Sequence, residues 1–293
     1  MRLCDKNTRF AIEKQQILEK SILFNQQEST RSLKIGLINL MPQKEITEEQ
    51  FFRLLSSSGH PVEVKLIKMA TYQSTTTDQV HLEKYYHTLS EIKDESFDGL
   101  IITGAPIETI PFEEVSYWDE LVDVMHWSQS KEISTLNICW GAQAALYVYH
   151  GIEKVLYSEK LSGIFEQSAK VTHPFMTDFP TTFSYPQSRH TGIDLTQITS
   201  KDFEVIAQSS MLGPTILTNN NNQNIYVLGH LEYDTHTLKR EYERDLARKL
   251  APKLPKNYFE KDDVNQPIVN NWESYAQLFY KNWLTSLEQR SGV

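Results

Sequence analysis

Cysteine is scarce in this chain of 293 residues, with two in all, Cys4 and Cys139. Two cysteines make no disulfide framework, so a reducing, cytoplasmic setting is expected. Long apolar runs are missing as well. No stretch approaches the ~20 apolar residues of a membrane-spanning helix, and Met1-Arg2-Leu3-Cys4-Asp5-Lys6 lacks the apolar segment of a secretory signal. Neither a membrane role nor export is expected. Basic charge is in deficit, with 29 Lys and Arg against 38 Asp and Glu for a net charge of −9. No basic run stands out, which argues against a nucleic-acid partner. No repeat of fixed period occurs, and no metal site is assigned. What remains is ample for a core: 40% hydrophobic and 11% aromatic residues. The length suits one large α/β domain or two small ones.

Residues 1–32 are polar and mixed, with Phe10, Ile12, Ile17, Leu18, Ile22 and Leu23 as a candidate stripe. They read as an arm that packs on the domain or on a second copy of the chain. Leu33 to Asn39 is the first buried strand. Thr47 reads as the cap of a helix carrying Phe51, Leu54 and Leu55. Val62 to Ile67 follows as a strand, Gln79 to Ile92 as one helix, and Gly99 to Thr103 as a strand. A helix through Trp118 and Met125 leads to the strand Leu136 to Ile138. This alternation predicts a parallel sheet with helices on both faces. Its ligand site lies at the C-terminal strand edge, where the loops after Asn39, Thr103 and Ile138 converge. From Lys154 to His190 the pattern loosens, and Pro174, Pro180 and Pro186 suggest loops and short antiparallel strands. Asn219 to Asn224 reads as a hairpin tip. Ile225 to Leu228 is a buried strand, Leu238 to Leu250 a helix, and a last helix holds Trp272, Phe279 and Trp283.

Cys139 stands at the strand-to-helix corner Asn137-Ile138-Cys139-Trp140-Gly141-Ala142, the place of a nucleophile elbow. Gly141 and Ala142 must be small for so tight a corner. The new helix points its positive end at the sulfur and leaves first-turn amides free for an oxyanion. Gly229-His230-Leu231-Glu232 leaves a later strand at the same edge. Cys139, His230 and Glu232 then form a nucleophile, a base and an orienting carboxylate.

Cys139-Trp140-Gly141-Ala142-Gln143-Ala144 with Gly229-His230-Leu231-Glu232-Tyr233-Asp234 resembles the homoserine O-acyltransferase family of methionine biosynthesis. Asn39-Leu40-Met41-Pro42, Ile102-Thr103-Gly104-Ala105-Pro106, Ser188-Arg189, Glu241-Tyr242 with Arg244-Asp245, and Asn282-Trp283-Leu284 agree with it. The resemblance runs from Leu33 to Leu284. It implies a class I glutamine-amidotransferase-like (flavodoxin-like) fold, with residues 33–293 as a single acyltransferase domain. It implies ping-pong chemistry in which Cys139 takes the acyl group from acyl-CoA, His230 moves the proton and Glu232 orients His230. Acetyl-CoA is then a co-substrate, no bound cofactor is needed, and a homodimer is possible. By the same resemblance Lys44, Lys160, Ser188 and Arg244 line the substrate site, and amides at Trp140 and Met41 hold the oxyanion. Glu108 occupies the position where the family has Gly for succinyl and Glu for acetyl transfer. Its bulk and charge would repel a second carboxylate.

The acceptor is read from departures. The family usually has His where this chain has Gln187 and Gln167, an acidic residue at Gly192, and Trp-Arg-Ser-His where Trp272-Glu273-Ser274-Tyr275 stands. One methylene separates serine from homoserine, worth only ~1–3 kcal/mol in a pocket, so few changes are needed to switch between them. These departures favour L-serine as acceptor, in cysteine synthesis, with homoserine as the alternative. A glutamine amidotransferase-type hydrolase or a silent binding protein would share the fold. The first would release ammonia from glutamine, and the second would leave Cys139 unacetylated.

Overall fold

The computed structural model describes residues 31–199, 201–219 and 221–290. β1 (Leu33–Ile38) is apolar along nearly its whole length, and that is why it is buried on both faces. It pairs in parallel with β2 (Val62–Ile67) on one side and β4 (Gly99–Ile102) on the other. β5 (Ser134–Ile138) adds to β4, and β10 (Asn224–Val227) adds to β5, again in parallel. Alternate residues then feed two apolar layers. Ile35, Leu37, Ile101 and Leu136 meet α1 (Lys44–Ser56) and α7 (Glu273–Arg290). Ile38, Leu100 and Ile102 face the opposite layer, with α4 (Trp118–Ser130) and α5 (Trp140–His150).

The parallel sheet expected from the alternating strands and helices is present, and it continues into an antiparallel part. Its order is β3-β2-β1-β4-β5-β10-β9-β8-β6-β7, with β3 (Tyr86–His87) at one edge. From β10 onward the pairing is antiparallel, through β9 (Gly213–Asn219), β8 (Phe203–Ser209), β6 (Lys154–Ala169) and β7 (Thr182–Ile193). The region expected to be loops and short strands is a pair of 16 and 12 residues. Pro186 sits inside β7, opposite Ile164. A proline is tolerated there because β7 is an edge strand with no further ladder to serve. The register slips between Leu156 and Leu161, so Tyr157 to Lys160 bulge out of the ladder.

Three helix readings change. α1 begins at Lys44 rather than after Thr47, because Lys44 is drawn down onto the Asn39 carbonyl. Gln79 to Ile92 is split into α2 (Gln79–Tyr85), β3 and α3 (Leu89–Ile92). Tyr86 breaks the helix by extending to pair with Leu66, which buries its ring. α6 (Thr237–Ala247) ends earlier than Leu250. The arm read over residues 1–32 lies outside the described residues except for Arg31 and Ser32. Arg31 reaches Asp98 at 2.8 Å. Among the described residues no helix is long and apolar enough to cross a membrane.

Candidate active site

Cys139 is the single residue between β5 and α5, with φ 50° and ψ −113°. Backbone in such a sparsely populated region costs on the order of 1–3 kcal/mol for a side chain with a Cβ, and such strain clusters at functional sites. The corner is held from both sides: the Cys139 amide donates to Val227 O at 2.8 Å, and its carbonyl accepts from the Gln143 amide at 3.1 Å. A Cβ on Gly141 would stand 2.6 Å from Thr103 O and 2.8 Å from Ile102 O. The small residue is therefore required by the end of β4, as the sequence suggested. Trp140 opens α5, so its amide is among those a helix leaves unpaired.

His230 follows β10 and is tied to β7 by its amide, which donates to Pro186 O at 2.9 Å. Its Nδ1 lies 2.6 Å from Glu232 Oε1. The loop after β4 completes the group. A Cβ on Gly104 would stand 3.2 Å from Cys139 Cβ and 3.6 Å from His230 Cε1. All three residues are buried, at 3%, 3% and 5% exposure for Cys139, His230 and Glu232. Burial alone would lower the pKa of His230. The charges of Cys139 and Glu232, and hydrogen bonds with both, outweigh it and hold the imidazole well above its ordinary value. Glu232 Oε2 has no hydrogen-bond partner among the described residues, so only one oxygen of this carboxylate is committed.

A second cluster abuts the first. The Ser188 carbonyl lies 4.0 Å from Cys139 Sγ, and the Ser188 hydroxyl donates to Glu241. Glu241 also accepts from Tyr233 OH at 2.7 Å and pairs with Lys160 at 3.1 Å. Lys160 reaches Asp245 at 3.3 Å, and Asp245 pairs with Arg244 at 2.7 Å. Burial opposes the charge on Glu241. Lys160, the bonds from Ser188 and Tyr233, and the charge of His230 together hold its carboxyl below the usual range. Tyr233 stacks on His230 with ring centroids 4.1 Å apart. Lys160, Ser188 and Arg244 are thus linked through Glu241 and Asp245, and of the three Ser188 touches the thiol. Tyr233, Glu241 and Asp245 were given no role from sequence. The available signal was the spacing of Glu241, Arg244 and Asp245, three and four residues apart and so on one face of α6.

Lys44 and Met41 belong to another flank. Lys44 is buried, and its ammonium donates to the carbonyls of Asn39 and Met41. Burial lowers its pKa to about 8, against the opposing pull of Glu48. The Met41 amide, expected to face an oxyanion, donates to Asn39 Oδ1 at 3.2 Å, and the Leu40 amide to Thr103 Oγ1 at 2.8 Å. Glu108 is half-buried in the turn after Gly104, where its charge acts on Lys154.

The residues that had pointed to serine are packing residues. Gln167 accepts from Thr215 Oγ1 at 2.6 Å, and Gln187 accepts from Arg189 Nε at 3.1 Å. A Cβ on Gly192 would meet Tyr157 OH at 2.2 Å. Glu273 pairs with Arg53 at 2.6 Å, and Tyr275 packs on Phe179 and Phe183. Most of these groups are committed to neighbouring side chains, but the Gln187 Nε2 is buried without a hydrogen-bond partner among the described residues.

Comparison with known proteins follows the same lines. Residues 5–292 match the family model described as Homoserine O-succinyltransferase. The chain is 45% identical over 259 residues to a homoserine O-acetyltransferase of Streptococcus pneumoniae (strain Taiwan19F-14), covering 88% of this chain and 82% of that one. It is 42% identical over 277 residues to one of Geobacillus kaustophilus, covering 92% of each chain. Among solved structures, a glutamine amidotransferase of Thermotoga maritima superposes with TM-score 0.58 at 16% identity, over 88% of this chain and 99% of that one. A glutamine amidotransferase of Methylobacillus flagellatus gives TM-score 0.52 at 13% identity, over 88% and 95%. These likenesses show a class I glutamine amidotransferase-like fold. The relatives' names overturn the expectation of serine: they are homoserine acetyltransferases.

Proposed function

The chain belongs to the homoserine O-succinyltransferase family of acyl-transferring enzymes, and from that premise we propose that it moves an acetyl group from acetyl-CoA to the side-chain hydroxyl of homoserine. The observation that carries the reading is the buried Cys139, His230 and Glu232 group, in a chain 42–45% identical to homoserine O-acetyltransferases.

In the first half-reaction Cys139 Sγ, its proton passed to His230, attacks the thioester carbonyl. The carbonyl oxygen takes the charge, and the Trp140 amide, unpaired within α5 as its first residue, is the proposed donor to it. The carbon–sulfur bond to CoA breaks, His230 returns the proton to the departing thiolate, and acetyl-Cys139 remains. In the second, His230 takes the proton of the acceptor hydroxyl, the oxygen attacks the acetyl carbonyl, and Cys139 leaves as thiolate. Glu232 orients the imidazole and balances its charge. A thiolate suits both steps, because it is a soft nucleophile and a competent leaving group. Arg244 and Lys160 supply cationic groups for the acceptor carboxylate, and Glu241 an anionic one for its ammonium.

Glu108 supports acetyl over succinyl. It follows Gly104, which packs on Cys139, and a second carboxylate on the donor would meet its charge. The composition and cysteine usage support a cytoplasmic setting.

Initial rates with acetyl-CoA or succinyl-CoA, each against homoserine and serine, test the reading. Acetyl-CoA with homoserine should give the highest kcat/KM, and mixing with acetyl-CoA alone should add one acetyl mass to Cys139. A higher kcat/KM with serine or succinyl-CoA, or no acetyl on Cys139, would overturn it.

A further inference from the structure

A cavity of about 600 Å³ lies beside the bulged strands, and Cys139 is not in its wall. It opens where the register of β6 and β7 slips, and a space of this size fits a cofactor-sized ligand. Its charged lining is Lys160, Arg189, Lys253 and Lys256 against one carboxylate, Glu159. Two of these cations are already matched, Lys160 by Glu241 and Asp245 and Lys253 by Glu159.

Arg189 is not. It is 1% exposed. Its Nε donates to Gln187 Oε1 and its Nη1 to Thr191 O, each at 3.1 Å, and the Tyr157 ring lies 5.4 Å from its guanidinium carbon. All three partners are neutral. A buried guanidinium with no carboxylate beside it among the described residues is costly, and an anion entering the cavity would supply the missing charge.

Lys256 stands at the rim, exposed but fixed. Its amide donates to Ser162 O at 3.0 Å, and its carbonyl accepts from the Ile164 amide at 2.8 Å. Gly163 between them has φ +143°, and a Cβ there would meet the Lys256 backbone at 2.4 Å. The remaining wall is apolar, including Phe165, Ile193 and Pro214. The cavity borders the charged cluster beside the thiol. Lys160 belongs to both, and Arg189 follows Ser188, whose carbonyl touches Cys139 Sγ.

We propose that this cavity receives the phosphate-bearing end of the acyl-CoA donor, with Arg189 and Lys256 as its phosphate contacts and the apolar wall against the arm that leads to Cys139. The assignment rests on the acetyl-CoA reading above. It is tested by titrating CoA into the full-length protein, Arg189→Gln and Lys256→Glu, and by timing acetylation of Cys139 by acetyl-CoA and by p-nitrophenyl acetate, which carries no phosphate. CoA should bind about tenfold or more weakly to Arg189→Gln and about threefold more weakly to Lys256→Glu, as expected for a buried and an exposed charge contact. Acetylation by acetyl-CoA should slow in step, while acetylation by p-nitrophenyl acetate and the KM for homoserine stay put. Lys256→Glu alters only an exposed side chain, so it keeps the test valid if Arg189→Gln fails to fold. Equal CoA affinity in Lys256→Glu and the unsubstituted protein, or equal slowing with both donors, overturns the proposal. Weakened CoA binding in a protein that never acetylates homoserine would overturn the acetyltransferase reading and leave the cavity assignment standing.

Discussion

The parallel and antiparallel parts of the sheet hold different halves of the chemistry. β1, β4, β5 and β10 are buried on both faces and end in the loops that carry Cys139, Gly104 and His230. β6 is largely open to solvent over its first half, β7 is mostly buried, and they contribute Lys160 and Ser188, which α6 joins through Glu241. The first part builds a nucleophile on rigid, apolar strands. The second builds a charged receptor on strands that bulge. On the proposed function, thiol acylation belongs to the first part and recognition of the acceptor to the second.

The sharpest way to break this division is Cys139→Ser. It should remove the acyl-enzyme and lower turnover by about 10³-fold or more, as for loss of other catalytic nucleophiles. Mass spectrometry after mixing with acetyl-CoA and steady-state rates check it, and unchanged turnover would refute the nucleophile. Glu241→Gln should act on the other part. The kcat/KM for homoserine should fall about 10–100-fold, from loss of a charged contact. Single-turnover acetylation of Cys139 should stay near that of the unsubstituted protein. If acetylation falls equally, the two parts are not separable.

Stability sharpens the contrast on a smaller scale. Lys44 has a folded pKa of about 8 against 10.5 ordinarily. Below pH 8 the lysine is protonated in both folded and unfolded chains, and its burial opposes folding. Between about pH 8 and 10.5 the unfolded chain binds the extra proton, so stability should rise with pH there, by up to about 3 kcal/mol. Lys44→Met should lack this rise, as urea titrations across that range would show; parallel pH profiles would remove the account of Lys44. Smallest is a pair of glycines. Gly141→Ala drives a Cβ into backbone oxygens and should cost about 1–3 kcal/mol. Gly192→Ala meets only the Tyr157 side chain, its hydroxyl at 2.2 Å and ring Cζ at 2.7 Å, and not backbone, and should cost less than about 1 kcal/mol if the ring can shift. Equal shifts in melting temperature would show that the elbow is no tighter than the bulge.

The same division explains what could be read from the chain. Strands buried on both faces are short apolar runs, so β1, β4 and β5 were visible, and with them the corner at Cys139; β2 showed by its alternation instead. The position of His230 followed from the end of one more such run. β6 hid because Ser158, Glu159 and Lys160 interrupt its pattern at the bulge, and β7 because Pro186 reads as a loop residue unless the strand is known to be an edge. Tyr86 looked helical in period, but pairing with β2 outweighed local preference. Gln167, Gln187 and Gly192 misled for a related reason: their partners Thr215, Arg189 and Tyr157 are set by the folded sheet and not by the local pattern, so substitutions matched to the interior resembled changes of substrate. Glu241 was in plain view on α6, yet a carboxylate three and four residues from charged neighbours is also what a solvated helix shows.

The backbone at Cys139 has one more implication. Its dihedral angles suit a residue with no side chain, and a glycine would occupy the corner at ease. A chain shaped by durability alone would discard the sulfur at this spot. A thiol held in so strained a corner is what the proposed nucleophile requires: on that reading, residue 139 trades endurance for reactivity.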